Sequence, residues 1–173
     1  MPSTLPDGDP VPTDGSVPER SLAEVPTRPL SIYLHVPFCR SRCGYCDFNT
    51  YTADELGPGA SRGDWADTAI AELALADRVL GADRPEVSTV FVGGGTPTLL
   101  PPADLGRVLA EIERRFGLAP GAEVTTESNP DTVDAASLAE LRAAGFTRIS
   151  FGMQSADAGV LTILDREHTA GRA

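Results

Sequence analysis

Three cysteines fall within eight residues, in Cys39-Arg40-Ser41-Arg42-Cys43-Gly44-Tyr45-Cys46, and the 173-residue chain has no others. An odd number of crowded thiols makes a poor disulfide framework. It suits a metal centre far better. Cysteine thiolates are the usual ligands of iron–sulfur clusters. Three of them on a four-iron cube leave one iron without a protein sulfur, and an open position is what separates catalytic from structural metal sites. The competing reading is zinc, with His35 or another residue as fourth ligand. Structural zinc usually draws on two separated cysteine clusters, and no second cluster exists here.

A second chemical feature is Gly93-Gly94-Gly95-Thr96-Pro97. It lacks the Lys-Ser/Thr of a phosphate loop and the third glycine of a dinucleotide fingerprint. Glycines at a strand end still let a ligand approach bare backbone; the plain alternative is a tight turn. Glu127 closes a predicted strand, where a carboxylate can accept both hydroxyl protons of a ribose. Its alternative is a solvated surface acid. Taken alone, Tyr33, Gln154 and Arg166 read as an ordinary core-edge tyrosine and two surface residues. His35 reads best as a hydrogen-bonded structural histidine on the face away from Ile32 and Leu34, and His168 reads as inert.

These residues need elements to hold them. Residues 31 to 36 alternate apolar and polar, a half-buried strand, and Pro37 ends it because proline cannot donate to a ladder. The thiols therefore sit at the C-terminal mouth of a strand, where parallel α/β folds gather ligand sites. A loop follows over 57–63. Asp64 is a plausible N-cap for a helix carrying Trp65, Ala69, Leu73, Ala76 and Leu80, with Gly81 past its end. Val87 to Val92 is a second strand, apolar enough to be covered on both faces. Pro101-Pro102 opens a helix with Leu105, Val108, Leu109, Ile112 and Phe116 on one stripe. A third strand spans 123–126, a short helix 134–144 with Leu138 and Leu141 inward, a fourth strand 146–151 and a final helix 156–165. Alternating elements of this kind predict an α/β fold with a parallel sheet and right-handed crossovers. The last strand presents an unpaired edge.

Composition sets outer limits. There are 25 acidic and 14 basic residues, a net charge of −11, which argues against a nucleic-acid or anionic-membrane surface. No apolar run approaches the ~20 residues of a membrane span, and no apolar signal core opens the chain. Free thiols fit the cytosol, so a cytoplasmic location is expected. Residues 1–29 hold seven of the fifteen prolines and read as a disordered tail without chemistry.

The C-x3-C-x2-C spacing, with a strand before it and Gly93 to Pro97 after it, resembles the radical S-adenosylmethionine (SAM) superfamily over roughly residues 30–173. The wording His35-Val36-Pro37-Phe38-Cys39 and Cys46-Asp47-Phe48-Asn49 resembles the branch that holds HemW-type haem chaperones and oxygen-independent coproporphyrinogen III oxidases. The resemblance implies a partial parallel (β/α) barrel, of which this chain supplies about four of six β/α units. Residues 30–173 would be the N-terminal part of that core. The ending Leu164-Asp165-Arg166-Glu167-His168-Thr169 resembles an internal family segment, so a truncated product or a fragment is expected. The resemblance also assigns roles. Cys39, Cys43 and Cys46 would hold a [4Fe-4S] cluster, with Tyr45 as its aromatic shield and Gly44 easing the loop around it. Gly94, Gly95 and Thr96 would meet the methionine part of SAM and Glu127 its ribose. Tyr33, Gln154 and Arg166 match further SAM contacts. Reduced by an unspecified electron donor, the cluster would cleave SAM to methionine and a 5′-deoxyadenosyl radical. The tetrapyrrole partner would be haem, in a delivery role, or coproporphyrinogen III, in an enzyme. The oxidases carry an additional cysteine in Cys-Gly-Cys-Asn; Cys46-Asp47-Phe48-Asn49 resembles the chaperone form. The haem-binding motif of those chaperones lies in a C-terminal half outside this sequence.

Overall fold

The computed structural model describes residues 12–52, 55, 61–169 and 171–172. Its strands are β1 (Leu30–Val36), β2 (Val87–Gly94), β3 (Leu118–Ser128) and β4 (Arg148–Phe151). They form one four-stranded sheet in sequence order, and every neighbouring pair is parallel. Its helices are α1 (Glu19–Glu24), α2 (Trp65–Leu80), α3 (Pro102–Phe116), α4 (Ala135–Ala143) and α5 (Ala158–Ile163). Strands in sequence order, joined by helices, are what successive β/α units produce. The α/β class and the parallel sheet expected from the alternation are what the chain forms.

The core lies on one face of the sheet. Val36, Val90, Val92 and Val124 join Leu105, Val108, Leu109, Ile112 and Phe116 of α3, with Ala69 and Leu73 of α2, in one buried cluster. The predicted α3 stripe is buried at every position. In α2, Trp65 is buried too, and its Nε1 donates to the His35 carbonyl at 3.0 Å. The helix thus anchors the strand end that carries the cysteine loop. An ionic knot ties the far ends of α2 and α3. Arg84, its side chain only 8% exposed, donates to Asp77 at 2.5 Å and to the Arg115 carbonyl at 2.8 Å. Its guanidinium lies 4.6 Å from the Phe116 ring centroid.

The other face is open. Tyr33 is 58% exposed and stacks on its register neighbour Phe91. No described helix is long and apolar enough to cross a membrane.

Some boundaries differ from expectation, each for a local reason. β3 starts at Leu118, because Leu118 pairs with Val87 ahead of an irregularity in the ladder. β4 starts two residues late. Gly145, at φ 107°, closes α4 by donating to the Arg142 carbonyl, and Phe146 donates to that of Leu141. This is a Schellman ending, and it takes the N–H that a strand would use. α5 is shorter than predicted because Asp157 caps it, accepting from Val160 N at 3.0 Å. The tail expected to lack structure is only partly within the described residues. There, Glu19–Glu24 is a short helix and Val25–Thr27 a 3-10 turn, neither burying a residue. Of the loop expected over 57–63, residues 57–60 lie outside the described set.

Candidate metal and nucleoside site

The cysteine loop leaves β1 and returns to it. Tyr51 N donates to the Pro37 carbonyl at 2.7 Å, and Cys39 N donates back to the Tyr51 carbonyl at 2.9 Å. These bonds close the neck of an excursion that holds all three thiols. His35 braces it from below. Its Nε2 donates to the Asn49 carbonyl at 2.8 Å, so in the neutral ring Nδ1 accepts from the Tyr33 hydroxyl at 2.9 Å. The structural reading of His35 matches this geometry.

Beside the loop, the glycine segment continues the β1–β2 ladder past the strand ends. Gly95 N donates to the Val36 carbonyl at 2.8 Å and Thr96 N to that of Phe38 at 2.7 Å. Gly94 has φ 113°, and a Cβ there would lie 2.6 Å from the His35 ring. A Cβ on Gly95 would lie 2.5 Å from the Phe38 carbonyl oxygen and 3.0 Å from Cys39 Sγ. Bare backbone is what lets this turn sit against the first thiol. Next to it, Glu127 Oε2 accepts from Gly94 N at 3.0 Å. The loop after β3 is fixed by hydroxyls: Thr98 donates to Ser128 at 3.2 Å and shares a 2.5 Å bond with Thr132.

The third wall is the end of the described chain. Gly44 N donates to the Leu164 carbonyl at 3.0 Å. Arg166 donates to the Gly152 carbonyl at 2.6 Å and reaches Cys43 Sγ at 3.6 Å. Gly44 serves the loop differently from expectation. It is not among the left-handed glycines; a Cβ there would stand 2.7 Å from the Asp165 carboxylate. Space, not backbone freedom, is what it supplies.

These walls enclose a cleft of about 660 Å³, a size usual for small-ligand sites. Cys39, Cys43, Cys46 and Tyr45 line it, together with Gly94, Gly95 and Thr96, and Glu127, Gln154 and Arg166 complete the predicted set. Gln154 holds φ 66°, a conformation rare outside glycine. Tyr33 is the predicted ligand residue left outside the cleft walls, its hydroxyl engaged by His35. Burial pushes the Tyr33 hydroxyl pKa up, and the charge of Glu127 adds to this. Phe48, from the Cys46–Asn49 wording, also lines the cleft; so does His168, expected to be inert, and so do Asn129 and Asp131, which sequence reading missed. Asn129 and Asp131 look like turn chemistry, since Asn129 Oδ1 accepts from Asp131 N at 2.9 Å. No spacing rule points such a turn at a cleft formed by residues far away in sequence.

The thiols are unpaired and half-buried. Burial pushes the Cys39 thiol pKa up, with Cys46 and Cys43 contributing as neighbouring negative charges against a lowering by Thr50. Tyr45 is raised first by burial and then by the charge of Cys43. Among the described residues, no three His, Cys, Asp or Glu side chains converge as the ligands of one ion would. Three thiols lining one cleft are the donor type an iron–sulfur cluster takes, each thiolate on its own iron.

The sequence profile of the Radical SAM superfamily matches residues 33–173. The chain belongs to the radical SAM superfamily. Within it, the chain is 53% identical over 152 residues to the heme chaperone HemW of Mycobacterium tuberculosis strain H37Rv, covering 88% of this chain and 38% of that protein. It is 39% identical over 140 residues to HemW of Escherichia coli K12, covering 81% and 36%. It is 37% identical over 143 residues to the mitochondrial radical S-adenosyl methionine domain-containing protein 1 of Mus musculus, covering 83% and 31%. Among solved structures it is similar to coproporphyrinogen III oxidase (HemN) from E. coli, a radical SAM enzyme, with TM-score 0.74 and 31% identity over 87% of this chain and 33% of that one. The fold is therefore that of the HemW/HemN branch, and the chain spans about a third of the length of the relatives it matches.

Proposed function

We propose that this radical SAM chain holds a [4Fe-4S] cluster on Cys39, Cys43 and Cys46 and SAM in the cleft beside it, within a haem-delivery protein of the HemW kind. One observation carries the reading: three unpaired thiols open onto the same cleft as Gly94, Gly95, Thr96, Glu127, Gln154 and Arg166. When bound, the cluster and SAM together supply one-electron chemistry, which is the cofactors' own.

The chain's residues do the placing. Gly94, Gly95 and Thr96 present backbone to the methionine end. Glu127 gives up its bond to Gly94 N and accepts the ribose hydroxyls, which frees that N–H for the ligand. Tyr45, 45% exposed at the cleft, shields the cluster. Gln154 and Arg166 close the far wall, and Tyr33 joins from the open sheet face. The unpaired thiols fit a reducing compartment such as the cytosol.

Haem delivery is favoured over decarboxylation by the identity to HemW and by Phe48. That side chain is 58% exposed and lines the cleft where the oxidases carry their additional cysteine. The fold match to the oxidase keeps an enzymatic reading as the second one. The two separate in one experiment. The chain is reconstituted anaerobically with iron and sulfide, titrated with haem, and assayed with coproporphyrinogen III. A haem absorption band without loss of carbon dioxide supports delivery. Turnover to a decarboxylated porphyrinogen would replace it with the oxidase.

A further inference from the structure

Buried polar atoms without a partner are uncommon in folded proteins, and each one needs a reason. Among the described residues three side-chain atoms are of this kind: Nε of Arg84, Nε of Arg166 and Nδ1 of His168. Arg84 lies in the ionic knot at the far end of the helices. The other two lie two residues apart, on one segment, and both residues line the cleft.

That segment is a strap fastened at both ends. At one end Leu164 accepts from Gly44 N at 3.0 Å, in the cysteine loop. At the other, Thr169 donates to Asp131 through its backbone N–H at 2.7 Å and its hydroxyl at 3.1 Å. Between them Asn129 Nδ2 donates to the Glu167 carbonyl at 3.2 Å, and Asp165 sits at φ 48°, where non-glycine residues are rare. The backbone is tied down and locally strained, yet two of the polar side-chain atoms it carries are left without partners. A segment built only to brace the fold would gain nothing from this. A segment that meets a polar ligand gains the missing bonds when the ligand arrives.

We propose that the 164–169 strap is the ligand-responsive wall of the cleft, and that His168 is a binding residue: its ring, whose Nδ1 is closed off from solvent in the empty cleft, turns towards the bound nucleoside and accepts a polar hydrogen from it. With the ring proton on Nε2, Nδ1 is an acceptor, so a hydroxyl or an exocyclic amine of the nucleoside can donate to it. Through the Leu164–Gly44 and Arg166–Cys43 contacts, the same wall couples ligand occupancy to order in the cysteine loop. The inference rests on the reading that SAM occupies this cleft.

The test uses the reconstituted full chain and SAM, with binding measured by calorimetry and the strap probed by trypsin, which cleaves after Arg166. Wild type is expected to bind SAM and to lose cleavage at Arg166–Glu167 when SAM is present. His168→Ala, checked for unchanged iron content and circular dichroism, is expected to bind about tenfold more weakly, the worth of one hydrogen bond to an otherwise unpartnered group. Its strap should stay cleavable. His168→Asn, which keeps a polar atom near the Nδ1 position, is expected to recover most of the affinity. Equal affinity in wild type and His168→Ala, with SAM protecting the strap in both, would overturn the role of His168. SAM binding with no protection in wild type would overturn the strap. A loaded wild type that binds no SAM at all would sink the underlying SAM reading instead, and this inference with it.

Discussion

The two ends of this molecule are held together by opposite means. Under the sheet, α2 and α3 bury an apolar cluster in which Ile112, Val108, Val36 and Val87 are fully shielded from water. At the C-terminal rim of the strands, three loops and the strap meet around a cleft through backbone hydrogen bonds and scattered side-chain contacts. Tyr45, Phe48 and Phe151 stay exposed there. The first region supplies stability and has no chemistry in it. The second holds the three thiols and the polar residues that line the cleft with them and contributes little packing. A rigid scaffold that presents functional loops is the general solution, and here a single strand end, at Val36–Pro37, joins the two.

The separation can be attacked from each side. The largest effect is expected from Cys39→Ser, Cys43→Ser or Cys46→Ser. Each should drop iron from about four per chain to nearly none, while the thermal midpoint of the metal-free protein barely moves. A large fall in that midpoint would show that the loop contributes to the fold. Ile112→Ala should do the reverse. It removes a fully buried side chain and is expected to destabilise by about 3–4 kcal/mol in urea unfolding, with normal iron loading wherever the protein stays folded.

These contrasts also explain what the sequence made legible. The α3 stripe could be read because packing at intervals of three and four residues is the only demand on it. β4 was read two residues too long because Phe146 is apolar and buried while its N–H belongs to the helix ending; hydrophobicity reports burial and is silent about hydrogen bonds. At the rim, cysteine spacing and the triple glycine were readable because cluster chemistry fixes residue types. Asp131 and His168 were not. Their place in the cleft comes from the strap crossing back to the loop after β3, a long-range contact with no local signature.

Smaller effects sharpen the boundary. Arg84→Ala removes the stack on Phe116 and the bond to Asp77, but leaves Asp77 paired with Arg115 at 3.2 Å. A loss of about 1–3 kcal/mol is expected in the same unfolding assay, again without change in iron loading. Gly95→Ala should push the turn off Phe38 and Cys39 and weaken SAM binding by about tenfold or more, with unfolding little altered. The smallest effect is a pH dependence. Arg114, and then Arg115, holds the Glu111 carboxyl well below its ordinary 4.5, at about 2. A carboxylate lowered in the folded state stabilises it above the unfolded value, and that contribution is lost as pH falls through the folded one. Wild type should therefore exceed Glu111→Gln in stability above about pH 4.5, and the two should converge towards pH 2.

The most direct test is the electron paramagnetic resonance spectrum of the anaerobically reconstituted, dithionite-reduced chain, recorded with and without SAM. A reduced [4Fe-4S] signal that changes when SAM is added, and that is missing from each cysteine variant, is the predicted result. A signal indifferent to SAM, or a protein that takes up a single zinc in place of iron, would contradict the account.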